Sequence, residues 1–380
     1  MYFYKHILFL VITVVFCSAL TFAQNDSTAD TKDSVKAVNM FSIGVGIQHG
    51  FIFAHSPTVE NTKGSRPTGV EIVFSWQRND PMVWNVCNCY PRNGLLLSYY
   101  DYDNSILGKS ITTAFFLEPT YKLGKKIFFS FRTAAGLSYL TNPFDSIHHP
   151  YNRSYSTRLN VYLLVGLGLW LRLNEHWWIN PSINYNHESN GGIKQPNSGI
   201  NWPTAGITLN YQKDSRAYYS GERVKQKTWK NNSIRWDFGV FGTMIRALFL
   251  DGSSRRMPLI GISFQGGKQV GTINVLTLGT EIFRDWAAHH KFKQDTIAAS
   301  SVKAGILAGH EFILGKFLFS QRLGVYIFDQ TPDFDQLYHR WALHYRINKQ
   351  FGIGLQLSAH RHIADFSDLK FTYSFQKKNQ

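Results

Sequence analysis

Between residues 186 and 201 the chain reads Asn-His-Glu-Ser-Asn-Gly-Gly-Ile-Lys-Gln-Pro-Asn-Ser-Gly-Ile-Asn. A serine hydroxyl is a weak nucleophile until a base removes its proton. Histidine is the usual base, and a third group on its other ring nitrogen orients it. Here His187 stands two residues before Ser189. In extended backbone, residues i and i+2 share a face with Cα atoms about 6.5–7 Å apart, so the two side chains can lean together. Asn201 can accept a hydrogen bond from the His187 ring. Asn190 or Asn197 can donate to an oxyanion, as can backbone N–H groups freed by Gly191 and Gly192. A lone His-x-Ser is common, however. The bland reading makes His187 an interfacial residue and Asn201 a turn residue.

The element that carries this pair is a strand. Ile179, Pro181, Ile183 and Tyr185 alternate with Asn180, Ser182, Asn184 and Asn186. Continuing that phase puts His187 and Ser189 on the apolar face. Asn201 opens the next strand in the same odd-number phase as Ala205, Ile207, Leu209 and Tyr211, so it faces the same way across the turn. A nucleophile and a base on the apolar side of a strand imply a substrate that is itself apolar.

Strand signals bounded by turn residues recur along the whole chain. They predict strands at about 40–54, 67–77, 94–103, 110–123, 125–140, 160–173, 175–189 and 203–213. After a charged stretch, a second set follows at about 233–248, 257–267, 270–285, 299–313, 315–328, 337–347, 350–361 and 364–375. The two sets echo each other. Leu123-Gly124-Lys125 matches Leu314-Gly315-Lys316, and Arg172-Leu173-Asn174-Glu175 matches Arg346-Ile347-Asn348-Lys349, each at the same place in its set. The order of these echoes points to a duplication.

Aromatics are 15% of the chain (29 Phe, 19 Tyr, 10 Trp), and no mature segment is apolar for the length of a transmembrane helix. The start has the form of a secretory signal: Lys5 and His6, the apolar run Ile7 to Ala19, then Thr21-Phe22-Ala23 before Gln24. Cys17 makes a poor lipoprotein site because the bulky Phe16 precedes it. Export, aromatic content and alternation together predict an all-β, antiparallel transmembrane β-barrel protein. A soluble secreted β-sandwich is the competing class. The mid-chain break and the repeat favour two tandem eight-stranded barrels over one barrel of 14–16 strands. The expected organisation is a signal peptide at 1–23, a flexible lead at 24–39, a first barrel at 40–213 with the site, a linker at 214–232, and a second barrel-like repeat at 233–380 without the motif. If the chain enters from the periplasm, the seventh strand ends at the external rim, and the His187 motif lies there.

The net charge is +15. For an exported chain this argues against a nucleic-acid partner. It suits either solubilised loops or a surface coated by anionic lipopolysaccharide phosphates. Cys87 and Cys89 fit no standard zinc spacing; a loop disulfide or two free thiols are expected. His360 with His362, His289 with His290, and His148 with His149 lack acidic partners, so no metal site is expected.

The segment from His187 to Asn201 resembles the active-site segment of the PagL lipid A 3-O-deacylase (acyloxyacyl hydrolase) family of outer-membrane barrels. That family has His-x-Ser-Asn, then Lys-Gln-Pro-Asn-x-Gly, then a glutamate. His187 and Ser189 match its histidine and serine, and Asn201 stands where it has the glutamate. The resemblance covers about residues 40–213. It implies catalysis on the lipid-facing barrel surface. Outer-membrane phospholipase A also carries Asn-His-x-Ser-Asn-Gly with an asparagine as third residue, which Asn186 to Gly191 and Asn201 fit. That family has twelve strands and works as a calcium-dependent dimer, and no calcium-ligand cluster is evident near the motif. The expectation is therefore an ester hydrolase of the bacterial outer membrane. It would remove an acyl chain from lipid A or a related glycolipid with Ser189, His187 and Asn201. It would need no cofactor; calcium enters only with the phospholipase alternative, whose substrate is an outer-leaflet phospholipid and whose active form is a homodimer. The remaining class is a non-catalytic pore or scaffold that keeps a degenerate motif.

Overall fold

The computed structural model describes residues 39–214, 218, 227–331, 335–360 and 363–376. The expected signal peptide, the lead up to residue 38, His362, and residues 215–217 and 219–226 of the expected linker lie outside the described residues.

Among the described residues period-two alternation gives sixteen strands, in two closed barrels. The first barrel contains β1 (Asn39–Gly50), β2 (Thr68–Arg78), β3 (Tyr90–Asp101), β4 (Lys109–Lys122), β5 (Ile127–Leu140), β6 (Leu159–Arg172), β7 (Trp177–Ser189) and β8 (Ile200–Gln212). Each strand pairs antiparallel with the next, and β1 closes on β8. The second barrel contains β9 (Arg235–Leu248), β10 (Ser254–Gln269), β11 (Asn274–Asp285), β12 (Val302–Leu314), β13 (Phe317–Phe328), β14 (Leu337–Arg346), β15 (Phe351–His360) and β16 (Ile363–Gln376), with β16 closing on β9. The single large barrel is thus excluded.

One of the two sequence echoes is a turn that does the same work in both barrels; the other is not, since residues 123–126 link β4 to β5 while only residues 315–316 link β12 to β13. Asn174 Oδ1 accepts the N–H groups of His176 and Trp177, both at 2.9 Å, before β7. Asn348 Oδ1 accepts those of Gln350 and Phe351 at 2.8 and 2.7 Å before β15. In each case the two preceding N–H groups bond the carbonyl of the first strand residue, Trp177 or Phe351.

Two short helices depart from the all-strand expectation: α1 (Pro81–Cys87) and α2 (Trp286–Gln294). Both are seeded by an aspartate. Asp80 and Asp285 each accept two N–H groups of the following turn, which satisfies donors that a helix start leaves orphaned. Cys87 and Cys89 form a disulfide at the end of α1.

In the first barrel the two faces of every strand differ. Outward positions are apolar and exposed, among them Val45, Ile47, Ile111, Val165 and Ile183. Trp76, Trp177, Tyr139 and Tyr211 stand outward near strand ends. An apolar band flanked by aromatics suits a bilayer. The interior is filled by side chains, as expected for eight strands. Glu118 and Arg132 pair at 3.3 Å, Arg92 lies over the Trp170 ring at 3.7 Å, and the indole N–H of Trp170 donates to Glu118. Tyr100, Tyr102, Tyr162 and Trp202 pack the interior towards the end of β7 that carries the motif. The second barrel has its own buried charges: Arg340 bonds Glu281 and Asp368 with no exposure of its own.

Candidate active site

β7 is pinned from inside by its even-numbered residues. Asn186 accepts from the Tyr162 hydroxyl at 2.7 Å and donates to the Trp202 carbonyl at 2.9 Å. Glu188, 1% exposed, is bonded by the hydroxyls of Tyr102 and Thr112. These bonds hold a rigid strand, and the odd-numbered residues on its other face inherit that rigidity.

On that outer face three predicted residues meet. In the β7–β8 pairing His187 lies directly opposite Asn201. His187 Nδ1 is 2.7 Å from Asn201 Oδ1, and His187 Nε2 is 3.0 Å from Ser189 Oγ. A carbonyl oxygen can only accept, so Nδ1 carries the proton and Nε2 offers its lone pair to the serine hydroxyl. That is the tautomer a serine nucleophile requires. Gly199 makes room for the ring. Its φ is +77°, and a Cβ there would come within 2.8 Å of His187 Cε1.

The two predicted oxyanion donors are placed differently. Asn190 continues the inward phase of Asn186 and Glu188 and is 2% exposed. Its amide nitrogen donates to Ser156 Oγ and to the Lys194 carbonyl. Both of its N–H bonds are therefore committed to the loop, and it is not available to a substrate. Asn197 Oδ1 accepts the Asn190 backbone N–H at 2.9 Å, which leaves the Asn197 amide nitrogen without a protein partner among the described residues. Gly191 (φ +63°) and Gly192 (φ +78°) form a tight turn closed by Ile193 N–H to Asn190 C=O. Their own N–H groups have no protein acceptor among the described residues.

One residue of the site is absent from the sequence expectation. Asn201 Nδ2 lies 2.9 Å from Nδ1 of His55. The segment after β1 runs on beside β8, with Phe53 N–H donating to the Asn201 carbonyl at 2.8 Å. His55 continues the odd-numbered outward phase of Ile43, Val45 and Ile47, and β1 pairs with β8. Barrel closure together with that parity was the signal that could have found it.

At the loops of this barrel end, residues between Thr141 and Arg158 together with Lys194 line an open pocket of about 370 Å³. Arg158, Lys194, His148, His149 and Asp145 line it. The backbone N–H groups of His148 and Ile147, then the His148 ring, hold the Asp145 carboxyl down to about 2. Beside that one carboxyl the lining carries two basic side chains, Arg158 and Lys194. Lys194 belongs to the loop that follows Ser189. Among the described residues no group of three or more His, Cys, Asp or Glu side chains is arranged to hold a metal ion.

Residues 69–213 match the family model of the lipid A 3-O-deacylase (PagL), and residues 234–378 match that of the acyloxyacyl hydrolase C-terminal domain. The chain belongs to the PagL family. It is an outer-membrane β-barrel protein of a hydrolase family. Among solved structures it is similar to the outer membrane enzyme PagL: 17% identity over 43% of this chain and 97% of that one, TM-score 0.33. It is also similar to the N-terminal β-barrel domain of Pseudomonas aeruginosa OprF: 14% identity over 46% and 99%, TM-score 0.28. At these scores neither likeness bears on function. No curated protein matches the chain. As a PagL-family member the chain departs from the family's motif at Asn201, where the resemblance calls for a glutamate.

Proposed function

We propose that the first barrel hydrolyses an acyl ester of lipid A or a related glycolipid, with Ser189 as nucleophile, His187 as base and Asn201 as the group that orients the base. The observation that carries this reading is the continuous hydrogen-bond chain from Ser189 through His187 to Asn201 on the outward, apolar face. Ser189 Oγ attacks the ester carbonyl while His187 Nε2 takes its proton. The resulting oxyanion is met by the N–H groups of Gly191 and Gly192 and by the Asn197 amide, which have no protein acceptor among the described residues. The imidazolium then returns the proton to the departing alkoxide. Water, deprotonated by the same nitrogen, frees the fatty acid from Ser189. Asn201 fixes the ring's tautomer but adds no negative charge to steady the imidazolium.

The pocket lined by Arg158 and Lys194, at the loops of the same barrel end, suits the phosphorylated head of such a glycolipid, while its acyl chains stay against the apolar strands. The motif's place at the end of the seventh strand fits a site at the external rim. No metal takes part in this scheme. The asparagine at 201 is the one observation that favours the phospholipase reading instead. Mass spectrometry of lipid A from cells with and without the gene, beside an assay on diacyl phospholipid with and without a chelator, tests both. Loss of one acyl chain from lipid A, insensitive to chelation, is expected. Chelator-sensitive phospholipid cleavage with lipid A untouched would replace this reading by the alternative.

A further inference from the structure

We infer that His55 is a positioning residue for the proposed hydrolysis: it fixes which way round the Asn201 amide stands, and through it the proton on His187. This rests on the Ser189–His187–Asn201 reading above. A carboxylate at position 201 would present two equivalent oxygens. An amide does not. With Oδ1 towards His187, Nδ1 keeps the proton and Nε2 can accept from Ser189. Rotated by half a turn, the amide would point an N–H at Nδ1. The ring proton would then move to Nε2, and the serine would lose its base.

Nothing on the His187 side alone selects between these states, because a neutral imidazole can donate or accept at Nδ1. The selection comes from the far side. His55 Nδ1 lies 2.9 Å from Asn201 Nδ2; with its own proton on Nε2, the state we assign to it, that nitrogen accepts an amide N–H and would repel an amide oxygen. His55 is held there independently of that bond. Phe53 N–H donates to the Asn201 carbonyl. Further along, Thr58 Oγ1 shares a hydrogen bond with Ser198 Oγ at 3.1 Å, tying the segment to the loop between Ser189 and Asn201. Position 55 is 146 residues from 201 in sequence, yet it touches the site because the first strand closes the barrel against the last.

The test measures turnover of lipid A in mixed micelles by the refolded full chain. His55→Leu removes the acceptor and should lower kcat about tenfold, the worth of one directed hydrogen bond, with KM unchanged. His55→Asn places an oxygen close to where Nδ1 was and should recover most of the loss. In an Asn201→Glu background the two oxygens are equivalent, so His55→Leu should cost less than about twofold, a coupling that a merely structural residue lacks. Electrophoretic heat-modifiability confirms folding of each variant. Wild-type kcat in His55→Leu, or a loss that His55→Asn leaves unrepaired, overturns the inference. Ser189→Ala is run alongside. If it is inactive while His55→Leu is not, only the role of His55 falls; if Ser189→Ala keeps turnover, the hydrolase reading falls with it.

Discussion

The two barrels carry a serine and a histidine at the end of the same hairpin, the seventh and eighth strands of each, but they use them in opposite ways. In the first barrel Ser189 and His187 stand outward and bond each other, with Asn201 behind. In the second, Ser358 is buried and its hydroxyl donates to Asp365 at 3.4 Å rather than to a histidine. His360, expected from sequence to lack an acidic partner, bonds Asp365, as His148 bonds Asp145 in the first barrel, and the His360 ring lies against the interior tyrosines Tyr326 and Tyr338. The difference is one of parity. Side chains alternate faces along a strand, so the numbering phase alone decides whether a hydroxyl meets lipid or core. One hairpin is therefore fit for surface chemistry, and in the other the polar groups satisfy each other.

The comparison can be broken most directly at the nucleophile. Ser189→Ala and His187→Ala are each expected to reduce ester hydrolysis by at least about 10³-fold, since members of such a unit do not act separately. Both variants should keep the heat-modifiable band of a folded barrel. Ser358→Ala, by contrast, should leave turnover within about twofold of the wild type. If Ser358→Ala is as damaging as Ser189→Ala, the second barrel is not the silent partner drawn here.

Asn201→Ala should cost less than loss of the nucleophile, on the order of 10²-fold, because it removes orientation but not the reacting groups. Asn201→Glu should keep or raise the rate, and steady-state kinetics on lipid A with both variants decides this. Next in size comes Gly199→Ala. The added Cβ would press on the His187 ring, and displacement of a catalytic group by about 1 Å can cost up to about 10²-fold. A fall in kcat of tenfold or more, without unfolding, is expected. Unchanged kcat would show that the ring has more room than this geometry allows. The smallest effect is expected from removing the second barrel altogether. Residues 24–213 should refold in detergent and retain hydrolysis, since the first barrel closes on itself and lipid tolerates no open strand edge. Failure of this fragment to fold, while the full chain folds, would make the two barrels mutually dependent.

The fold was legible because alternation is a local signal. Runs such as Ile179 to Asn186 declare both strand and facing, and the Asn174 and Asn348 turns declare the hairpins. The helices were missed because Asp80 and Asp285 open helices of only seven and nine residues, too short for a 3.6-residue period to emerge. Asn190 was misplaced for an avoidable reason. The phase that puts His187 and Ser189 outside puts Asn190 inside with Glu188, and its short side chain finds its partners in the loop. His55 escaped because its neighbour is chosen by closure of the sheet, a long-range event that no window of sequence contains. The charged cavity is of the same kind, since Arg158 and Lys194 approach only once β6 and β7 are paired.

The filled interior of the first barrel has a kinetic consequence. Nothing the size of a glycolipid passes along an axis occupied by Arg92, Glu118, Arg132 and Trp170. In the proposed hydrolysis, reactant and fatty acid product would therefore arrive and leave sideways, within the plane of the leaflet. The quantity that governs encounter is then a surface density rather than a volume concentration. Saturation should track the mole fraction of ester in a film or micelle, and inert amphiphile added at constant total ester should slow the reaction by diluting that surface. Crowding, domain formation and viscosity in the leaflet become the variables that set flux.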